Sequence, residues 1–193
     1  MSEELHDQPV DLEVVSSELV YEGAVWDVWS DTVRYGDGEM TRQYVEHPGA
    51  AAVVAIDDDE RVVLIQQYRH PIKERDWEIP AGLLDVAGEP PIETAKRELT
   101  EEADLAADRW QHLVSMHTTP GGNDEVVHLF LARGLRAVET DFEREHEESD
   151  MRLERVPLAE VIDGVLAGRL RNGILATGAL AAAEVLRREA SAR

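Results

Sequence analysis

Residues 97–105 read RELTEEADL, with five formal charges in the first eight positions. Glu98, Glu101 and Glu102 are three and four residues apart. On a helix that spacing makes their side chains neighbours, and like charges so placed repel by about a few tenths of a kcal/mol. One reading is a solvated acidic face. The other is a cation site, because a divalent ion turns the repulsion into attraction. The chain has no cysteine, and its seven histidines, at 6, 47, 70, 112, 117, 128 and 146, do not cluster along it. They are read as structural or solvent-exposed. Carboxylates joined by a backbone carbonyl make a hard oxygen site, which suits Mg²⁺ or Mn²⁺ and not zinc or copper. Such a cation points to phosphate chemistry.

A ridge of this kind needs a helix packed against the protein body. Pro90 and Pro91 suit a first turn, and Ile92, Ala95, Leu99 and Ala103 recur every three to four residues. At roughly 100° per residue these positions form one apolar stripe, with the glutamates along its edge. The preceding PAGLLDVAGE is bracketed by glycines, so its carbonyls can reach the same place. Around this helix the pattern predicts strands from Val14 to His47, with YGDGE at 35–39 as a hairpin turn. AAAVVAI at 50–56 reads as a strand covered on both faces, and RVVLIQQYR at 61–69 as its hairpin partner. Residues 70–89 read as a loop. Strands at Trp110–His117, Val126–Leu131 and Met151–Val156 follow, then helices at about 157–168 and 173–189. The interleaving predicts an α/β or α+β protein with a mixed sheet.

Nineteen basic residues against 41 acidic give a net charge of −22, which would repel a phosphate backbone and speaks against nucleic-acid partners. Without cysteine there are no disulfides, thiolate metal sites or cysteine nucleophiles. MSEELHDQPV has no apolar core of a secretory signal, and no apolar run reaches the length of a membrane span. The expectation is a cytoplasmic protein with no membrane partner. Neither a Gly-x-Ser-x-Gly elbow nor a Walker loop is present.

The stretch from Gly82 to Leu105 resembles the box of the Nudix hydrolase family. That pattern runs Gly, five residues, Glu, seven residues, then Arg-Glu-aliphatic-any-Glu-Glu-any-Gly-aliphatic. Here Gly82 and Glu89 lead into Arg97-Glu98-Leu99-Thr100-Glu101-Glu102-Ala103-Asp104-Leu105, with two departures. Six residues separate Gly82 from Glu89, and Asp104 takes the glycine position. A left-handed backbone is usual there, and Asp tolerates it better than most residues. Glu46-His47-Pro48-Gly49-Ala50, Gln67-Tyr68-Arg69, Glu78-Ile79-Pro80-Ala81-Gly82 and Pro120-Gly121-Gly122 further resemble the ADP-ribose pyrophosphatase branch.

This resemblance implies a Nudix-type α/β/α sandwich over residues 49–193. It also implies an N-terminal β region, residues 1–48, that packs or exchanges across a homodimer. The implied activity is metal-dependent hydrolysis of ADP-ribose to AMP and ribose 5-phosphate. Alternatives are another nucleoside diphosphate derivative (a nucleotide sugar, NADH or an oxidised nucleotide) or a non-catalytic nucleotide-sensing module. Glu98 and Glu102 resemble the principal metal ligands, completed by the Ala81 carbonyl, with Glu101 sharing a bridging role. Arg97 orients the glutamates, although as a bare feature it could equally pair with Glu93. Arg42 and Arg69 resemble the arginines that hold the diphosphate and terminal ribose, which suits bidentate guanidinium contacts. Glu125 resembles a residue touching sugar or base. Trp26 and Trp29 either stack on adenine or pack at the interface, or are ordinary core residues. The general base comes from the acidic loop before MRLERV, at Glu147 or, alternatively, Glu148.

Overall fold

β-Branched and aromatic residues between Val14 and Glu46 favour extended backbone. They form three antiparallel strands, β1 (Val14–Tyr21), β2 (Asp27–Tyr35) and β3 (Gly38–Glu46), in the order β1-β2-β3. The expected YGDGE turn joins β2 to β3, with Gly36 at a φ of 59°, where a side chain would be strained. The computed structural model describes residues 5–140, 142 and 150–192. It divides the chain into two units, one ending at His47 and taking in Thr119–Asp124, the other holding Pro48–Thr118 and the chain from Glu125.

In the first unit the Thr119–Asp124 segment lies along β3. Val45 N–H donates to the Gly122 carbonyl at 2.9 Å, and His47 N–H donates to Asp124 Oδ1 at 2.8 Å. Trp26 is 48% exposed and stacks on His47 with ring centroids 5.8 Å apart. The core reading of Trp26 is therefore corrected: among the described residues of this unit no packed layer covers it. Trp29 is half-buried and donates from Nε1 to Glu46 Oε2 at 2.8 Å.

The second unit begins with the apolar run. β4 (Ala50–Ile56) is buried at every position, and β5 (Arg61–Arg69) follows it through a tight turn. The two strands pair only at Ile56 and Val62, beside the turn, and then part. Their parting leaves backbone donors and acceptors that must find partners. β6 (Glu74–Glu78) takes the end of β5, and β7 (Ala81–Leu83) takes the start of β4. Residues 70–89, expected to be a loop, thus contain two strands. ERDWE is too charged, and AGL too short, to show strand alternation.

Then come α1 (Pro91–Ala103), β8 (Leu105–His117), β9 (Val126–Ala137), β10 (Arg152–Pro157), α2 (Leu158–Leu166) and α3 (Gly173–Ser191). The strand order is β10-β5-β4-β9-β8, with β4 and β9 parallel and the other pairs antiparallel, so the sheet is mixed. Ala95, Leu99 and Ala103 of α1 pack on Ala51, Val53, Ala55, Phe130 and Ala132 on one face. Leu158, Val161, Leu175, Ala179 and Ala182 pack on Ala52, Val54, Leu129 and Leu131 on the other. The unit is an α/β/α sandwich, as expected. Asn172 caps α3, its side chain accepting from Leu175 N–H at 2.9 Å. Among the described residues no helix is long and apolar enough to cross a membrane.

Leu99 is fully buried in the contact between α1 and the sheet. Leu99→Ala is expected to lower stability by about 2–5 kcal/mol, the range for a leucine cavity. A urea unfolding midpoint within error of the parent would contradict the packing described.

Candidate active site

The carboxylate ridge lies on α1, whose apolar stripe turns Glu98 and Glu102 inward. Both are buried, at 9% and 4% exposure, and Glu101 is half-buried beside them. A buried carboxylate without a partner is costly, and each here has one. Glu102 Oε2 accepts the Ala81 N–H at 2.9 Å. Arg97 Nη1 donates to Glu98 Oε1 at 2.6 Å and to Glu101 Oε2 at 3.2 Å. Its Nη2 lies 3.6 Å from Glu89 Oε2 and 3.8 Å from Asp85 Oδ1. Glu93 instead pairs with Lys96 at 2.8 Å, so of the two partners open to Arg97 the ridge is the one it takes.

Burial works against the charge on Arg97, yet Glu98, Glu101 and Glu89 outweigh it and hold the guanidinium above its ordinary pKa. Among the described residues neither Nε nor Nη2 finds a hydrogen-bond acceptor. Charge, rather than a full set of hydrogen bonds, keeps the guanidinium in place. The Arg97 guanidinium thus lies among the carboxyl groups of Glu89, Glu98 and Glu101, with Glu102 on the same helix.

Gly82 explains how Glu98 comes so close to the strand. A Cβ there would overlap Oε1, Cδ and Cγ of Glu98. The extra residue before Glu89 is absorbed in an exposed turn, where Glu89 N–H donates to the Val86 carbonyl at 3.0 Å. Glu89 stays at the ridge and accepts from Thr94 Oγ1 at 2.7 Å. Asp104 adopts the expected left-handed backbone, φ 54° and ψ 37°, and its N–H closes the helix on the Thr100 carbonyl at 3.0 Å.

The donor set is all oxygen and carboxylate-rich, so it suits a hard divalent ion. Among the described residues no three His, Asp or Glu side chains are drawn to a single point. The carboxylates form a row along the helix, tied by Arg97 and by Ala81, whose recorded contact is through its N–H.

A family model described as NUDIX domain matches residues 46–174. The chain belongs to this family. It is 49% identical over 172 residues to the ADP-ribose pyrophosphatase of Mycobacterium tuberculosis, spanning 89% of this chain and 83% of that protein. It is 40% identical over 122 residues to the methanol dehydrogenase activator of Bacillus methanolicus, spanning 63% of this chain and 65% of that one. The crystal structure of an ADP compounds hydrolase superposes with a TM-score of 0.80 at 19% identity, covering 95% of this chain and 98% of its own. At that identity the superposition speaks for the fold.

Beyond the Nudix box, Arg69 ends β5 and is clamped by Glu78. Its Nε and Nη2 donate to the two Glu78 oxygens, each at 2.7 Å, and Gln67 Nε2 donates to Oε2 at 3.3 Å. The sequence reading gave Glu78 no role; its signal was an acid leading into the apolar Ile79-Pro80-Ala81. Glu125 accepts from Thr118 Oγ1 at 2.6 Å. Arg42 belongs to the first unit, as Trp26 does, with Nη1 donating to the Thr41 carbonyl at 2.8 Å. Glu147 and Glu148 lie outside the described residues.

Proposed function

We propose that this Nudix protein hydrolyses the diphosphate of ADP-ribose to AMP and ribose 5-phosphate with a divalent cation, Mg²⁺ or alternatively Mn²⁺. The observation that carries the reading is the 49% identity along 89% of the chain to a relative named ADP-ribose pyrophosphatase. The complete set of box carboxylates supports it.

Glu98 and Glu102 hold the cation, with the Ala81 carbonyl and a share from Glu101. Bound there, the ion supplies charge neutralisation at the phosphate oxygens and lowers the pKa of water. Arg97 acts on the carboxylates, keeping Glu98 and Glu101 side by side against their mutual repulsion. Arg69, its fork fixed by Glu78, presents a guanidinium to the diphosphate. Arg42 takes the terminal ribose end, Glu125 the sugar or base, and Trp26 the adenine. Glu147, or Glu148, accepts the proton of the attacking water.

The N-terminal β region, residues 1–48, packs or exchanges across a homodimer and completes each site. Support comes from β1, where Val14, Val15, Leu19, Val20 and Tyr21 are all exposed. The protein works in the cytoplasm on a small nucleoside diphosphate. Glu147→Gln is expected to lower kcat by about 10²-fold or more with metal affinity less affected, on the scale of general-base removal. An unchanged kcat would move the proton acceptor to Glu148.

Product analysis with ADP-ribose, ADP-glucose and NADH, each with Mg²⁺, Mn²⁺ and a chelator, tests the reading. AMP and ribose 5-phosphate formed fastest from ADP-ribose, and only with metal, is the expected result. Faster turnover of ADP-glucose or NADH would replace the substrate, and binding without turnover would replace the activity.

A further inference from the structure

His112 and His128 are far apart in sequence, yet β8 and β9 bring them together. Ser115 faces His128 across the antiparallel pair. Its Oγ lies 2.8 Å from His128 Nδ1 and 2.9 Å from His112 Nε2. On a regular strand, residues three apart point to opposite faces, so His112 should not share a face with Ser115. The register breaks between them: His112 pairs with Phe130 and Val114 with Leu129, leaving Leu113 as the extra residue of a bulge. That bulge turns His112 onto the face of Ser115 and His128, and bulges recur beside functional sites because they re-aim a side chain.

The rings are also held. His112 meets Phe130 edge to face, centroids 5.5 Å apart at 73°. Burial first, then the neighbouring His112, push the His128 pKa below its usual value. At neutral pH its ring is uncharged and carries a lone pair. A hydroxyl has one hydrogen and cannot donate to both imidazoles. The hydroxyl donates to one ring and accepts the N–H of the other, so His112 Nε2 and His128 Nδ1 both point at one position, 2.9 and 2.8 Å away, from two paired strands.

We propose that His112 and His128 form a second metal site at the point Ser115 Oγ now occupies, for a borderline divalent transition ion of the zinc class. Zinc–imidazole bonds are about 2.0–2.1 Å long. An ion in place of the hydroxyl, with Ser115 turned to another rotamer, needs each ring to close by about 0.8 Å from the present contacts. Water completes the coordination. Imidazole prefers such ions to Mg²⁺, so this site and the carboxylate ridge select different metals in one domain.

Calorimetric titration of the whole chain with ZnCl₂, in a large excess of Mg²⁺, tests it. One Zn²⁺ should bind, with affinity about ten-fold or more weaker in His112→Ala and in His128→Ala and unchanged in Glu102→Gln. Equal affinity in the parent and both histidine variants would overturn the proposal, as would binding lost only in Glu102→Gln. Should a variant fail to fold, ¹⁵N-histidine NMR of the unaltered protein decides. Zn²⁺ must shift the His112 and His128 ring signals together and before the other five histidines. Shifts that begin elsewhere refute the site.

Discussion

Glu102→Gln is expected to keep the fold and to cut kcat/KM for ADP-ribose by about 10³-fold, the effect of losing several kcal/mol of metal-assisted stabilisation. Glutamine matches glutamate in shape, and its carbonyl oxygen can still accept the Ala81 N–H that Glu102 now takes at 2.9 Å. What it cannot supply is charge. Its amide group also needs an acceptor in a position that is 4% exposed, a cost of about 1–3 kcal/mol if none is found. Kinetics across a range of Mg²⁺, beside a thermal unfolding curve, separate the two effects. Parent-like kinetics at every Mg²⁺ concentration would remove Glu102 from the metal-binding set.

Gly82→Ala should lower activity by about 10²-fold or more while changing stability little, because displacing a catalytic group by about 1 Å has that effect. The new methyl overlaps the end of the Glu98 side chain rather than backbone. A flexible carboxylate can swing aside at small cost, so folding survives. Its new place is no longer against β7 or within the grip of Arg97, and the row Glu98–Glu101–Glu102 loses a member. The crystal structure of the variant should show Glu98 in a different rotamer. Full activity with Glu98 displaced would mean that its present position does not matter to the reaction.

The helix was legible because its requirements are local. Ile92, Ala95, Leu99 and Ala103 announce a buried stripe, and three of these four are fully packed against the sheet. The same stripe placed Glu98 and Glu102 at the edge of burial. β6 and β7 were not legible, since what makes them strands is the parting of β4 from β5, a property of neither segment. Glu78 was hidden for a similar reason: its partner Arg69 reaches it across a strand pair absent from the sequence pattern. His112 and His128 needed both a long strand pairing and a one-residue bulge. Trp26 misled because large aromatic residues are usually buried, and a three-stranded sheet alone has no second layer to cover one.

The parallel pairing of β4 with β9 aligns Ala50 with Val127, at opposite ends of the segment that contains α1. The surface under α1 is drawn from both strands. A thirteen-residue helix is marginal by itself in water, so α1 has little reason to persist until both strands are in place. Closing that long loop is entropically slow. During refolding, helical signal at α1 and recovery of turnover should rise together with protection of the β4–β9 amides, and a nascent chain halted before Val126 has the whole glutamate ridge in its sequence but no ground for it to stand on.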